Sequence, residues 1–230
     1  RMISSYLEKI QIKEVVGLIF TFTIFKSIAY FSPLGLQELI NSDLLYGVFE
    51  YRFNIGQTFA GIFAFGLVGT YGYFILKKNR LELTPIFHLH FVVITSILFL
   101  LTIFFPRLVG NAYFDGLVLG AALANQVMIS SILKSKNRNS LSVIVDTSVY
   151  SILGLLVLLG LIDLIKFTQV VWQLWLLFFL IVTTIFYHAK KIRGLKSLEI
   201  KHFKEVYKFG SLILISSPLI VLITSSTRIY

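Results

Sequence analysis

Residues 15–36 read VVGLIFTFTIFKSIAYFSPLGL, an apolar run carrying a single charge, Lys26. A helix rises 1.5 Å per residue, so about 20 such residues cross the roughly 30 Å hydrocarbon core of a bilayer. The run is longer than the roughly 7 to 15 residue core of a signal peptide and lacks a small-residue cleavage site, so it is expected to stay in the membrane. Further runs of spanning length follow at 53–76, 86–105, 113–133, 141–162 and 170–187, and another begins near Tyr207. The expected fold is therefore all-α: a polytopic membrane helix bundle of six transmembrane helices plus a seventh truncated at the C-terminus. Composition agrees, since 57% hydrophobic and 14% charged residues lie outside the range of soluble domains. The absence of cysteine excludes disulfides, thiolate metal ligation and a thiol nucleophile.

Short connections between such runs force antiparallel neighbours, so successive loops alternate between the two sides of the bilayer. Counted by side, 16 of the 21 Lys and Arg fall together: Arg1, Lys9 and Lys13; Lys77, Lys78 and Arg80; Lys134, Lys136 and Arg138; and seven between Lys190 and Lys208. Only Arg52, Arg107 and Lys166 fall opposite, while Lys26 and Arg228 lie within apolar runs. The positive-inside rule then puts the N-terminus and the even-numbered loops in the cytoplasm, and Glu38, Asp43 and Glu50 in the first outer loop. The +10 formal charge marks orientation, not nucleic-acid binding. The expected organisation is a six-helix transmembrane lobe over 1–188, a cytoplasmic amphipathic linker over 189–206, and the first helix of a missing second lobe over 207–230. An echo between Phe203-Lys-Glu-Val206 and Ile12-Lys-Glu-Val15, six helices apart, is of the size seen in six-helix transporter repeats.

Lys26 lies about 16 Å beyond Val15, near the bilayer midplane, too deep to snorkel out. Leaving it charged against lipid would cost at least about 2.5–3.5 kcal/mol, so it should face a bundle interior or a watery cavity. Thr23, Lys26, Ser27 and Tyr30 fall at i, i+3, i+4 and i+7, on one helix face. This stripe is a candidate cationic cavity wall for an anionic substrate; the structural alternatives are an ion pair with Asp146 or a neutral lysine. Arg52, with Asn54, Gln57 and Thr58 just inside, could extend the positive surface or snorkel beside Glu50. Asp146 is a candidate protonatable coupling group or a capping carboxylate.

Other features point to packing. Gly116, Gly120 and Ala124 form a small-residue face, and Gly66 to Gly72 lies inside an apolar run, where it cannot open a phosphate loop. His88 and His90 project about 200° apart, which disfavours a shared metal and suggests interfacial histidines. Asn125 and Gln126 are expected to hydrogen-bond between helices. The run from Lys190 to Lys208 is expected as an amphipathic helix on the inner leaflet. No catalytic group, metal site or cofactor is expected.

Leu45-Tyr46-Gly47 followed by a helix ending in Gly66-Leu-Val-Gly69, and Phe203 to Gly210 running through Ser216-Ser217-Pro218 to Ser225-Ser-Thr227-Arg228, are the stretches that carry a family resemblance. In these the chain resembles the polysaccharide transport family, the O-antigen and capsule flippases of the multidrug/oligosaccharidyl-lipid/polysaccharide exporter superfamily. It departs from that family where an Asp-Arg pair is common, since Thr227 replaces the acid. The resemblance implies a bacterial inner-membrane protein of two six-helix lobes, of which this chain is the first lobe and one helix more. It also implies flipping of undecaprenyl-pyrophosphate-linked oligosaccharides by alternating access, for surface polysaccharide biosynthesis. Related lipid II flippases use basic residues of helices one and two toward the pyrophosphate, and Lys26 and Arg52 are similar in location. The expected partners are the lipid-linked substrate, the bilayer, and glycosyltransferases or a polymerase of the same pathway.

Two alternatives stand beside this one, a multidrug exporter of the same superfamily and an enzyme of a different class. A cation-coupled multidrug exporter commonly has an acid in this lobe where helix one carries Lys26. A membrane-bound glycan polymerase or acyltransferase needs acids and histidines converging on a loop, and no such loop is evident. Because the chain has no cysteine, single cysteines report topology directly. Asn79→Cys and Asn137→Cys are expected to react with an impermeant maleimide only in inverted vesicles, and Lys166→Cys only in intact spheroplasts.

Overall fold

The computed structural model describes residues 2–226, with side chains for residues 15–192, 195 and 198–215. Among these the protein is helical throughout and has no strand. Five stretches are long and apolar enough to cross a bilayer: Val15–Ile40, Asp43–Lys77, Leu81–Phe104, Ala112–Ser135 and Gln169–Ile192. A sixth is bent. The chain is a multi-pass, all-α membrane protein.

Helix α1 (Met2–Ile40) turns into α2 (Asp43–Ala64) through Asn41 and Ser42 alone. The expected outer loop is thus absent, and Glu38, Asp43, Glu50 and Leu45-Tyr46-Gly47 are helical. Residues 37–52 contain no proline and one glycine, and the turn has its own chemistry. Asn41 adopts φ 45°, a left-handed helix end that asparagine tolerates, and Ser42 Oγ accepts from Leu45 N at 3.4 Å as an N-cap.

The second span is interrupted at Phe65 and Gly66, both left-handed, before α3 (Leu67–Tyr71) and a π-helical turn over Gly72–Lys77. Gly66 is required twice over. Its φ is +65°, and an added Cβ would strike the Gly210 carbonyl oxygen of the last helix, α9 (Ile200–Ser226). After α4 (Thr84–Phe104) comes α5 (Ala112–Ser135), the most buried span. The small-residue face expected on α5 meets α2 closely. A Cβ on Gly116 would meet Ile55, and one on Gly120 would lie 2.6 Å from Phe59 and 2.9 Å from the Gly56 carbonyl oxygen.

The expected fifth span is broken into α6 (Asn139–Asp146) and α7 (Ser148–Leu161), bent by 56°. Hydroxyls make the break tolerable. Thr147 Oγ1 donates to Val143 O and Ile144 O, and Ser148 Oγ to Val145 O, so the carbonyls of the last turn of α6 gain hydroxyl donors at the break. Helix α8 (Gln169–Thr183) continues through a π turn (Thr184–His188) into 3₁₀ turns (Ala189–Ser197). The single amphipathic helix expected from Lys190 to Lys208 is therefore two segments, parted at the extended Leu198. The seventh helix starts at Ile200 rather than near Tyr207, and Thr227 to Tyr230 lie outside the described residues.

The chain forms two compact units. One holds the described residues to Val48 with Ile129–Thr168; the other holds Phe49–Met128 and the described residues from Gln169 on. In the first, α1 and α7 run parallel, with Ser32 against Gly154, Gly35 against Val157 and Leu39 against Gly160. Gly120→Ala should lower stability by about 1–3 kcal/mol through overpacking. Gly61→Ala, whose Cβ would meet nothing within 4 Å, should leave the melting temperature unchanged or raise it.

Candidate functional site

Lys26 sits eleven residues into the 26-residue span Val15–Ile40, and its ammonium lies 3.3 Å from Asp146 Oδ2. Asp146 is the last residue of α6, at the 56° break. Both side chains stay partly open, at 43% and 30% exposure. The pair is one of the alternatives that the sequence leaves open, and it changes the charge of the site. Lys26 does not present a bare cation, because a carboxylate already meets it. Position reinforces the pairing, since the carbonyl end of α6 favours a cation and the amide end of α7 an anion. Thr23, Ser27 and Tyr30 share the Lys26 face, and Thr23 and Tyr30 are exposed. The opposite stripe of Ile28, Ser32, Gly35 and Leu39 packs toward α7. Helix one therefore divides into a packed face and an open polar one.

Arg52 belongs to the second unit and does not snorkel beside Glu50. Its guanidinium pairs with Asp115, in the first turn of α5, and donates to Gly110 O at 2.9 Å. Gly110 N in turn donates to Gln173 Oε1 at 2.8 Å. The Arg52 and Asp115 side chains are only 19% and 5% exposed, so this pair is sealed where Lys26 and Asp146 are open. Asn54 and Gln57 lie on an exposed face of α2, away from the face that carries Arg52 to Asp115. Within the second unit Arg52 acts as a strut, apart from the exposed Asn54 and Gln57.

A further polar network could not be found by spacing. His88 and His188, 100 residues apart, are buried with their Nδ1 atoms 2.8 Å apart. His188 Nε2 lies 2.7 Å from Asn125 Oδ1, and Asn125 Nδ2 donates to Thr183 Oγ1 at 2.6 Å. Asn125 Oδ1 can only accept, so His188 carries its proton on Nε2 and, as a neutral ring, accepts from His88 at Nδ1. Thr183 Oγ1 closes the chain by donating to Phe179 O. His88 is therefore a core residue and not interfacial. His90 is likewise engaged, 2.7 Å from Phe63 O and 3.0 Å from Tyr207 OH. The interhelical bonding expected of Asn125 is present. Among the described residues no group of three His, Asp or Glu could hold a metal ion.

No protein-family model, curated protein or solved structure matches this chain. Of the two described ion pairs that lie within spanning segments, Lys26–Asp146 is open and Arg52–Asp115 is sealed. Asp115→Ala should cost about 3–5 kcal/mol by leaving Arg52 buried and uncompensated, whereas Arg52→Leu with Asp115→Leu should recover most of that loss. Thermal denaturation of the three purified variants measures both.

Proposed function

We propose that the protein carries an anionic lipid-linked oligosaccharide across the bacterial inner membrane by alternating access, acting as a flippase and not as an enzyme. The reading rests on one observation: a half-open lysine–carboxylate pair inside a spanning segment, at a broken helix. Intramembrane charges are costly and mark substrate or ion pathways. Discontinuous spans supply such sites in transporters. A diphosphate carries more negative charge than one carboxylate, so it competes for Lys26 and displaces Asp146. The displaced carboxylate then takes up a proton or a cation, which couples substrate binding to ion binding. In a low-dielectric site this exchange involves strong interactions on both sides, so neither state is left with an unmet charge. The prenyl chain stays in lipid and the sugars in the aqueous path.

In this reading the N-terminus is cytoplasmic, and the resemblance to the polysaccharide transport family supplies the substrate class. Thr23, Ser27 and Tyr30 line the approach to Lys26. Arg52 contributes by holding α2 to α5.

Complementation of a flippase-null strain tests the role of Lys26. Lys26→Ala should abolish surface polysaccharide at normal protein level, and Lys26→Arg should retain part of it. The charge swap Lys26→Asp with Asp146→Lys separates the roles. It keeps the ion pair, so restored activity would make the pair purely structural, while loss of activity in a folded protein is the expected result. Export of cationic dyes in a drug-sensitised host would instead favour a multidrug exporter.

A further inference from the structure

The turn that joins α5 to α6 borders a cavity of about 540 Å³, which opens against the start of the first spanning segment and lies wholly within the first unit. Backbone bonds fix the turn. Asn137 is left-handed at φ 56°, Arg138 N donates to Leu133 O at 3.0 Å and Asn137 N to Lys134 O at 3.0 Å, which is the double closure of a Schellman helix end. The second residue beyond such an end ordinarily packs an apolar side chain back on the helix, but here it is Arg138, which lines the cavity. Ser135 Oγ donates to Ile132 O at 2.8 Å, so the carbonyls of Ile132, Leu133 and Lys134 are all engaged. The polar wall is left with mostly donors: the Arg138 guanidinium, the carboxamides of Asn137 and Asn139, and the Ser140 hydroxyl.

The other wall is apolar, made by Val15 and Leu18 of α1 and Leu141 of α6, and both Val15 and Leu141 are exposed. Three span ends meet at this level. Val15 opens the first apolar run just after Lys13 and Glu14 in sequence, Ser135 closes the span Ala112–Ser135, and Asn139 opens the bent one. The cavity therefore sits where hydrocarbon gives way to headgroups. Lys134 and Lys136 are exposed on the same turn, and residues 134–141 contain no acid. Among the described residues no carboxylate pairs with Arg138. Charge complementarity selects an anion, and the apolar wall selects one that is attached to hydrocarbon. Free phosphate would leave Val15, Leu18 and Leu141 without a use, and a zwitterionic lipid would bring a cation of its own toward Arg138. The volume falls within the roughly 300–1,000 Å³ range of ligand sites.

We infer that the α5–α6 turn binds the headgroup of an anionic phospholipid of the surrounding bilayer, with its phosphate on Arg138 and its glycerol and first acyl carbons against Val15, Leu18 and Leu141. Basic pockets between spanning helices take lipid headgroups in this way. The inference does not depend on the proposed transport, because the ligand is a resident lipid and not a cargo. Bound there, the lipid bridges α1 to the start of α6 and so fastens the helix whose last residue, Asp146, meets Lys26.

The test places the full chain in phosphatidylcholine nanodiscs with a trace of phosphatidylglycerol that bears a diazirine next to its glycerol backbone. Photolysis and peptide mapping should find label on residues 137–141. A phosphatidylcholine probe with the same diazirine should label them about fivefold less or weaker still, and Arg138→Ala should lower the phosphatidylglycerol label by a similar factor. Arg138→Lys should keep part of it, and Lys77→Ala with Lys78→Ala, cations of the other unit, should leave it unchanged. Unlabelled dioleoyl phosphatidylglycerol in the disc should suppress the label, and inorganic phosphate in the buffer should not. Equal labelling by the two probes, undiminished labelling in Arg138→Ala, or loss of label in the Lys77 and Lys78 variant overturns the site. Suppression by inorganic phosphate, or by undecaprenyl diphosphate at a lower mole fraction than phosphatidylglycerol, overturns a resident phospholipid in favour of a free anion or of cargo.

Discussion

A charge inside hydrocarbon has to be met by an opposite charge or by water, and Lys26 imposes that condition on the first unit of this protein. Its partner comes from 120 residues away, at the end of α6. A straight fifth span would have no chain end there to offer. The break at Thr147 creates one, and the hydroxyls of Thr147 and Ser148 support it by donating to carbonyls in the last turn of α6. The same bend sets the parallel course of α7 along α1, where Gly154 and Gly160 allow close approach. Charge pairing, helix break and seam are thus one arrangement.

The second unit meets the same condition differently. Arg52 is neutralised by Asp115 and sealed, and the histidines form a directed chain ending on a backbone carbonyl. Both devices tie helices together without leaving a charge open to a ligand. The Lys26–Asp146 and Arg52–Asp115 pairs differ in exposure, and in the proposed function that contrast separates a site from a strut. A strut that opened would leave a buried guanidinium unmet, at a cost of several kcal/mol. A half-open pair can exchange partners at lower cost.

The spans are legible in the sequence because an apolar run of bilayer length, repeated six times, has more hydrocarbon than a water-soluble core of this size can bury. The polar stripe on helix one is legible from its spacing, and so are the small residues of α5, since both are properties of one helix. Pairings between distant segments are not. Nothing near Arg52 names Asp115, and nothing near His88 names His188. The stretch 37–52 misleads because its carboxylates suggest a loop, while the decisive signals are Asn41 and Ser42, an ordinary helix end and cap. The break at Thr147 hides inside an apolar run, since the hydroxyls that donate to carbonyls there leave no gap in hydropathy. For Lys26 the residues alone allow a cavity wall, an ion pair with Asp146 or a neutral amine, and geometry selects the ion pair.

Amine labelling of Lys26 by a membrane-permeant reagent, quantified on the peptide that carries it, tests most directly whether this lysine exchanges a carboxylate for a diphosphate in the full chain. Undecaprenyl diphosphate should protect Lys26 from the reagent, and undecaprenol, which shares the chain and lacks the charge, should not. Equal labelling with and without the diphosphate, or equal protection by the alcohol, would contradict that exchange.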